Sequence, residues 1–326
     1  MTITPLRLAK ASASADLPLA VGPATSATGG KDLIIVTLIA ADRLTRDAIF
    51  AASDVLGDAN ISASEWSWVD EGSAADIECR AAPIQLPIIR FALGAIDGVD
   101  VIVQPADGRE KRLLVADMDS TMIGQECLDE LADYAGIKPQ VAAITERAMR
   151  GELDFAASLK ERVELLKGLD EAVIGQCLAE RVRPNSGAET LVRTMRSRGA
   201  MTLLVSGGFT AFADPVAEML GFERVVANRF EVGEGRLSGL VEGAIVEAHT
   251  KCAALKQTRK ELGIAPSAVL AIGDGANDKA MIEAAGLGVA YRAKPALAAV
   301  ADARLDHNGL DALLWAQGIP RSEWVV

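Results

Sequence analysis

The residues Leu113-Leu114-Val115-Ala116 run directly into Asp117-Met118-Asp119-Ser120-Thr121. Four apolar residues read as a buried strand, and two aspartates one residue apart follow its end. Carboxylates held together there repel one another, and burial adds a desolvation cost. A bound divalent cation is the usual compensation. In an open α/β sheet, the C-terminal end of a strand is also where ligands bind.

Two later stretches repeat the design. Leu203-Leu204-Val205-Ser206-Gly207-Gly208 is an apolar strand ending in Ser and two Gly. Val269-Leu270-Ala271-Ile272-Gly273-Asp274-Gly275-Ala276-Asn277-Asp278 ends in Gly-Asp, with another acid four residues on. Lys251 lies upstream in a helical-looking segment. Each piece alone has an ordinary reading. Asp-x-Asp after an apolar run is commonly a loop or helix cap, and Ser-Gly-Gly and Gly-Asp-Gly are turn signals. Three such strand ends in order, with one Lys, form a constellation suited to metal and phosphate.

These residues resemble the four motifs of the haloacid-dehalogenase-like phosphohydrolases. Asp117-Met118-Asp119-Ser120-Thr121 is similar to the first motif, Ser206 to the second, Lys251 to the third, and Gly273-Asp274 with Asp278 to the fourth. Within that superfamily the chain is similar to the phosphoserine phosphatases. Glu126, Phe155 and Arg162 match in the segment after the first motif. Ser206-Gly207-Gly208-Phe209, Ala227-Asn228-Arg229, Val241-Glu242-Gly243 and Gly273 to Asp278 match later. The resemblance spans Leu113 to Arg304. It implies an α/β fold, with a doubly wound parallel-sheet (Rossmann-like) core and a small helical cap.

The implied activity is Mg²⁺-dependent hydrolysis of O-phospho-L-serine to L-serine and phosphate through an aspartyl-phosphate, the last step of serine biosynthesis. Asp117 is then the nucleophile and Asp119 the general acid and base. Asp117, the main-chain oxygen of Asp119 and Asp274 would hold Mg²⁺, with Asp278 supporting them from behind. Ser206, the Gly207 amide and Lys251 would hold phosphate oxygens. Thr121 supports the loop or the phosphate, and Asn277 binds substrate or orients a neighbour. Glu126 and Arg162 alone read as solvated helix charges. Together they complement the ammonium and carboxylate of phosphoserine, and Arg suits bidentate carboxylate contact. Phe155 walls the pocket or belongs to the cap's own core. Other readings are a phosphomonoesterase or phosphotransferase acting on a substrate such as phosphohomoserine, and an amino-acid-sensing regulatory protein.

Composition bounds the alternatives. A chain of 326 residues holds two domains with ample core. A net charge of −12 argues against nucleic acid. It also repels an anionic substrate at long range, so local cations must reverse the field at the site. No apolar run approaches the roughly 18 residues needed to span a membrane. Cys79, Cys127, Cys177 and Cys252 contain no Cys-x-x-Cys pair, which points to reduced thiols in a cytoplasm. With two histidines, His249 and His307, Ser-His catalysis and histidine metal sites are poorly supported.

Organisation follows from pattern. Residues 1–31, rich in Ala, Ser, Thr and Pro, read as a flexible tail without a signal-peptide pattern. Residues 32–107 read as βαββαβ, with strands at Leu33–Ala40, Ile61–Val69, Ala75–Arg80 and Val99–Gln104 and helices at Arg43–Leu56 and Ile84–Gly94. That order resembles an ACT domain, an α+β module that often binds amino acids. Asp42-Arg43-Leu44-Thr45 lacks the glycine common in such ligand loops, so a packing or dimerisation module is the plainer reading, compatible with a homodimer. Residues 110–326 form the phosphatase-like part. Its cap covers about 122–184, and a hairpin is expected over Phe230–Val241.

Overall fold

The computed structural model describes residues 32–94, 96–149 and 152–326. The expected tail, 1–31, lies outside the described residues. The chain divides into two compact units, Met1–Asp107 and Gly108–Val326.

Within the first unit, β1 (Asp32–Ala40), α1 (Arg46–Asp58), β2 (Ala63–Asp70), β3 (Ala74–Ala81), α2 (Leu86–Leu93) and β4 (Val99–Pro105) follow in order. The strands form an antiparallel sheet in the order β2-β3-β1-β4, a ferredoxin-like arrangement. Alternate residues of β1, Ile34, Val36 and Leu38, face a core shared with Ile49, Ala52 and Leu56 of α1 and Ile89 and Leu93 of α2. Helix α1 starts later than the apolar spacing suggested. Thr45 takes an extended backbone and its hydroxyl accepts the Ala48 N–H, which makes it the cap.

The second unit carries a seven-stranded sheet. Its strands are β5 (Leu113–Ala116), β6 (Met201–Phe209), β7 (Arg224–Gly233), β8 (Arg236–Glu242), β9 (Val269–Gly273), β10 (Leu287–Tyr291) and β11 (Ala303–Leu305). The order is β11-β10-β9-β5-β6-β7-β8, parallel except for the antiparallel β7–β8 pair. β5 and β9 are buried at every residue, as strands covered on both faces must be. From β5 the chain passes to β6 on one side and later returns to β9 on the other. That reversal opens a crevice at the C-terminal end of β5. The Asp-x-Asp motif leaves the sheet at that point.

After β5 the chain forms α3 (Cys127–Tyr134), α4 (Lys138–Met149), α5 (Phe155–Glu164) and α6 (Ala172–Arg181). They form the cap. Its entry and exit segments pair, with the Gly124 N–H donating to Arg183 O and the Asn185 N–H to Met122 O. Asn185 Nδ2 also donates to the carbonyls of Thr121 (2.8 Å) and Ile123 (3.1 Å). After the cap come α7 (Ala188–Ser197), α8 (Thr210–Leu220), α9 (Ala248–Leu262) and α10 (Lys279–Ala284).

The hairpin expected near the entrance is β7–β8. Glu234 and Gly235 both have positive φ at its tip, as a tight two-residue turn requires. Its strand β8 also meets the cap: the Gly168 N–H donates to Leu237 O, the Leu237 N–H to Leu169 O, and the Glu171 N–H to Gly235 O. Among the described residues, no helix is long and apolar enough to cross a membrane. All four cysteines are free and buried.

Candidate active site

Asp117 follows the last residue of β5, its backbone N–H bonded to Ile272 O of β9. The neighbouring strand thus fixes where the motif leaves the sheet. The Asp117 carboxylate accepts from the Met118 N–H at 2.8 Å and lies 2.7 Å from Lys251 Nζ. Lys251 belongs to the first turn of α9 and reaches Asp278 Oδ1 at 2.8 Å. The other Asp278 oxygen accepts the N–H groups of Asp274 (3.2 Å) and Gly275 (3.1 Å). Asp278 therefore braces both Lys251 and the turn carrying Asp274. Gly273 permits this: a Cβ there would lie 2.5 Å from the Asp278 carboxyl carbon.

Electrostatics make this cluster unusual. Lys251 and Asp278 are 1% and 0% exposed. Oxygens of Asp117, Asp274 and Asp278 lie within 4.8 Å of one another, against one buried cation. Burial first, and then the charge of Asp278, hold Asp117 well above the usual carboxylate range despite Lys251. Burial also raises Asp274, with Lys294 and Lys251 opposing. Lys251 is raised, because the two aspartates outweigh its burial. Three buried carboxylates beside one ammonium leave a site that a hard, oxygen-preferring divalent cation would relieve. The residues present fit such an ion.

Asp119 sits in a sharp bend. Its own backbone is extended, while Ser120 adopts the left-handed conformation at φ 56°. Residues two apart along an extended chain share a face, and Asp119 lies in the crevice with Asp117, its Oδ2 3.4 Å from the Ser206 hydroxyl. Its Oδ1 accepts the Cys127 N–H at 2.9 Å. Burial, reinforced by Glu126, pushes the carboxyl up to about 6, while the Cys127 bonds oppose the rise. Such a group exchanges a proton near neutral pH.

Ser206, Gly207 and Gly208 close the opposite wall. The Gly208 N–H donates to Ser206 Oγ at 2.8 Å. A Cβ on Gly208 would lie 2.9 Å from Asp119 Oδ2 and 3.0 Å from Ser206 Oγ, so this close approach needs glycine. A Cβ on Gly207 would lie 3.0 Å from the tip of the Phe155 ring. Helix α5 of the cap therefore hangs its first residue directly over this loop.

The remaining sequence-nominated residues are placed as follows. Glu126 is exposed at the start of α3, and its carboxylate accepts the Ser120 hydroxyl at 2.7 Å. Arg162, one face of α5, is half-buried and feels the charges of Asp129, Glu126 and Asp119. Its Nε donates to Ser158 O. Thr121 is fully buried, and its hydroxyl has no hydrogen-bond partner among the described residues. Asn277 is half-buried, its side chain folded against the Gly275 turn. Two residues that carry geometry were not nominated. Cys127 supplies the N–H that holds Asp119, and Asn228 holds the Gly207 carbonyl. Only the Ala227-Asn228-Arg229 triplet in the sequence hinted at the second.

Comparisons with known proteins agree with this architecture. Residues 114–283 match the haloacid dehalogenase-like hydrolase family. A phosphoserine phosphatase of Archaeoglobus fulgidus is 43% identical over 225 residues, 68% of this chain and 65% of that protein. One of Idiomarina loihiensis is 46% identical over 202 residues, 62% of this chain and 91% of that protein. The chain thus spans slightly less than two thirds of the length of the archaeal relative. Among solved structures, a phospho-aspartyl intermediate analogue of phosphoserine phosphatase superposes with a TM-score of 0.58 and 38% identity, covering 63% of this chain and 98% of that one.

Proposed function

Since the chain belongs to the haloacid dehalogenase-like hydrolases, we propose that it is a Mg²⁺-dependent enzyme that hydrolyses O-phospho-L-serine to L-serine and phosphate. The observation that carries the substrate assignment is the cap over the crevice. Phe155 of α5 touches the Gly207 loop, and Arg162, two turns along the same helix, feels both Glu126 and Asp119. A phosphate cradle sees a group common to all phosphomonoesters. Only the cap can see the rest of the molecule, and it offers one anion and one cation for an ammonium and a carboxylate.

Asp117 attacks phosphorus in line, forming an acyl phosphate while the ester bond breaks. The leaving serine oxygen takes a proton from Asp119, whose raised affinity for protons suits it to donate. Asp119 then removes a proton from water, which attacks the acyl phosphate and frees phosphate and the Asp117 carboxylate. Oδ1 of Asp119 is tied to the cap by Cys127, so Oδ2 is the oxygen that exchanges the proton. Ser206, the Gly207 amide and Lys251 hold phosphoryl oxygens. Asp117, the main-chain oxygen of Asp119 and Asp274 would hold Mg²⁺, and Asp278 keeps Lys251 and the Asp274 turn in place. The ion supplies charge neutralisation on the phosphoryl oxygens.

Arg162→Ala tests the substrate assignment. Removing the guanidinium leaves the substrate carboxylate unpaired in a closing site, a loss of about 30-fold or more in kcat/KM for phosphoserine. A generic aryl phosphate has no carboxylate, so its turnover falls much less. Equal losses on the two substrates would mean that Arg162 serves the phosphate or the fold, and the assignment would fail.

The N-terminal unit is dispensable for the chemistry, because every residue in this scheme lies in the Gly108–Val326 unit, which contains its own core. A truncated protein beginning at Gly108 retains metal-dependent phosphate release. A well-folded but inactive truncation would contradict this. The free, buried thiols favour a reducing compartment, consistent with a cytoplasmic enzyme.

A further inference from the structure

Asn228 is 2% exposed and has no role in the scheme above. Its surroundings give it one. Strands β6 and β7 pair in parallel through Val205↔Val226, and the pairing resumes at Phe209↔Asn228. β6 advances four residues over that interval and β7 two. Ser206 to Gly208 therefore bulge from the ladder. A bulge strips backbone groups of their sheet partners, and buried peptide groups need replacements. The Gly208 N–H finds Ser206 Oγ. The Gly207 carbonyl accepts from Asn228 Nδ2 at 2.8 Å. The Gly207–Gly208 peptide is thus held at both ends by side chains.

The other end of the same amide matters equally. Asn228 Oδ1 accepts the Val246 N–H at 2.7 Å. Val246 leads into α9, where Lys251 reaches Asp117 five residues on. One buried side chain therefore bridges the two elements that flank the phosphate, the Ser206–Gly208 bulge and the approach to Lys251. We infer that Asn228 is a positioning residue that sets the spacing of the phosphate cradle and fixes the Gly207–Gly208 peptide on the wall of that cradle. The inference rests on the phosphate cradle of the proposed function. It does not depend on which alcohol carries the phosphate.

Asn228→Asp keeps the acceptor for the Val246 N–H and replaces the donor to Gly207 with an oxygen. Asn228→Ala removes both bonds. Inorganic phosphate, the product of any phosphomonoesterase, is the probe. In full-length protein, inhibition by phosphate weakens about tenfold or more in each folded variant, the loss of a hydrogen bond that shapes the cradle. KM for phosphoserine and for an aryl phosphate rises by the same factor, so the preference between them is unchanged. A purely structural role would lower the melting temperature and the active fraction while leaving phosphate inhibition and KM at wild-type values. That result overturns the inference, as does failure of both variants to fold. A wild-type protein that neither hydrolyses phosphoserine nor is inhibited by phosphate would count against the proposed function. A wild-type protein inhibited by phosphate, with variants equally inhibited, would count against Asn228.

Discussion

Asp117→Asn abolishes turnover, by about 10⁴-fold or more, while the protein folds and melts much as before. An amide nitrogen cannot attack phosphorus as a carboxylate oxygen does, so no acyl phosphate forms. The side chain is nearly isosteric and keeps an oxygen for the Met118 N–H. It loses the charge pair with Lys251 but also the repulsion from Asp278, and Lys251 keeps Asp278 as its partner. The fold is therefore expected to tolerate the change. Steady-state phosphate release and a thermal melt, run side by side, check both halves. Retained turnover would remove Asp117 from the chemistry.

Asp119→Asn slows both halves of the reaction by about 10² to 10⁴-fold, the range for a lost general acid and base. The variant keeps an oxygen for the Cys127 N–H, so α3 should stay anchored. It has no proton to deliver to the leaving oxygen and cannot take one from water. Substrate affinity changes little, because the proposed phosphate contacts come from Ser206, Gly207 and Lys251. Rapid-quench measurement of phosphoenzyme formation and decay separates the two steps. A variant slowed in one step only would restrict Asp119 to that step.

Much of this arrangement was legible before any coordinates. Strand ends are marked by apolar runs that stop at Asp, Ser or Gly, and parallel strands bring those ends to one edge. Asp117, Asp274, Asp278 and Lys251 converge because β5 and β9 are neighbours and α9 precedes β9. The βαββαβ sequence of elements in the first unit is read from its short apolar runs and helical spacing, whereas the sheet order β2-β3-β1-β4 emerges only from the strand pairing.

What escaped the sequence depends on contacts between distant segments. The bend after Asp119, which turns the chain toward the cap, is made at Ser120, a non-glycine residue in a left-handed conformation that its type does not announce. The tie between Asp119 and the cap is made by a backbone N–H, which every residue except proline carries, so the identity of Cys127 gave no signal. The bulge at Ser206 to Gly208 appears only in the register of β6 against β7, and without it Asn228 is one more polar residue near a strand. The meeting of β8 with Gly168 to Glu171 likewise requires the cap to be folded over the hairpin.

The central claim is that the phosphoryl group of phosphoserine passes onto Asp117. The Asp119→Asn protein is mixed with phosphoserine labelled in its phosphoryl group, quenched in acid within the first turnovers and digested. The account predicts an acid-stable label, released by hydroxylamine as an acyl phosphate is, in the peptide containing Asp117, and no label when Asp117 is also replaced. Label on any other residue, or labelling that survives the loss of Asp117, would contradict it.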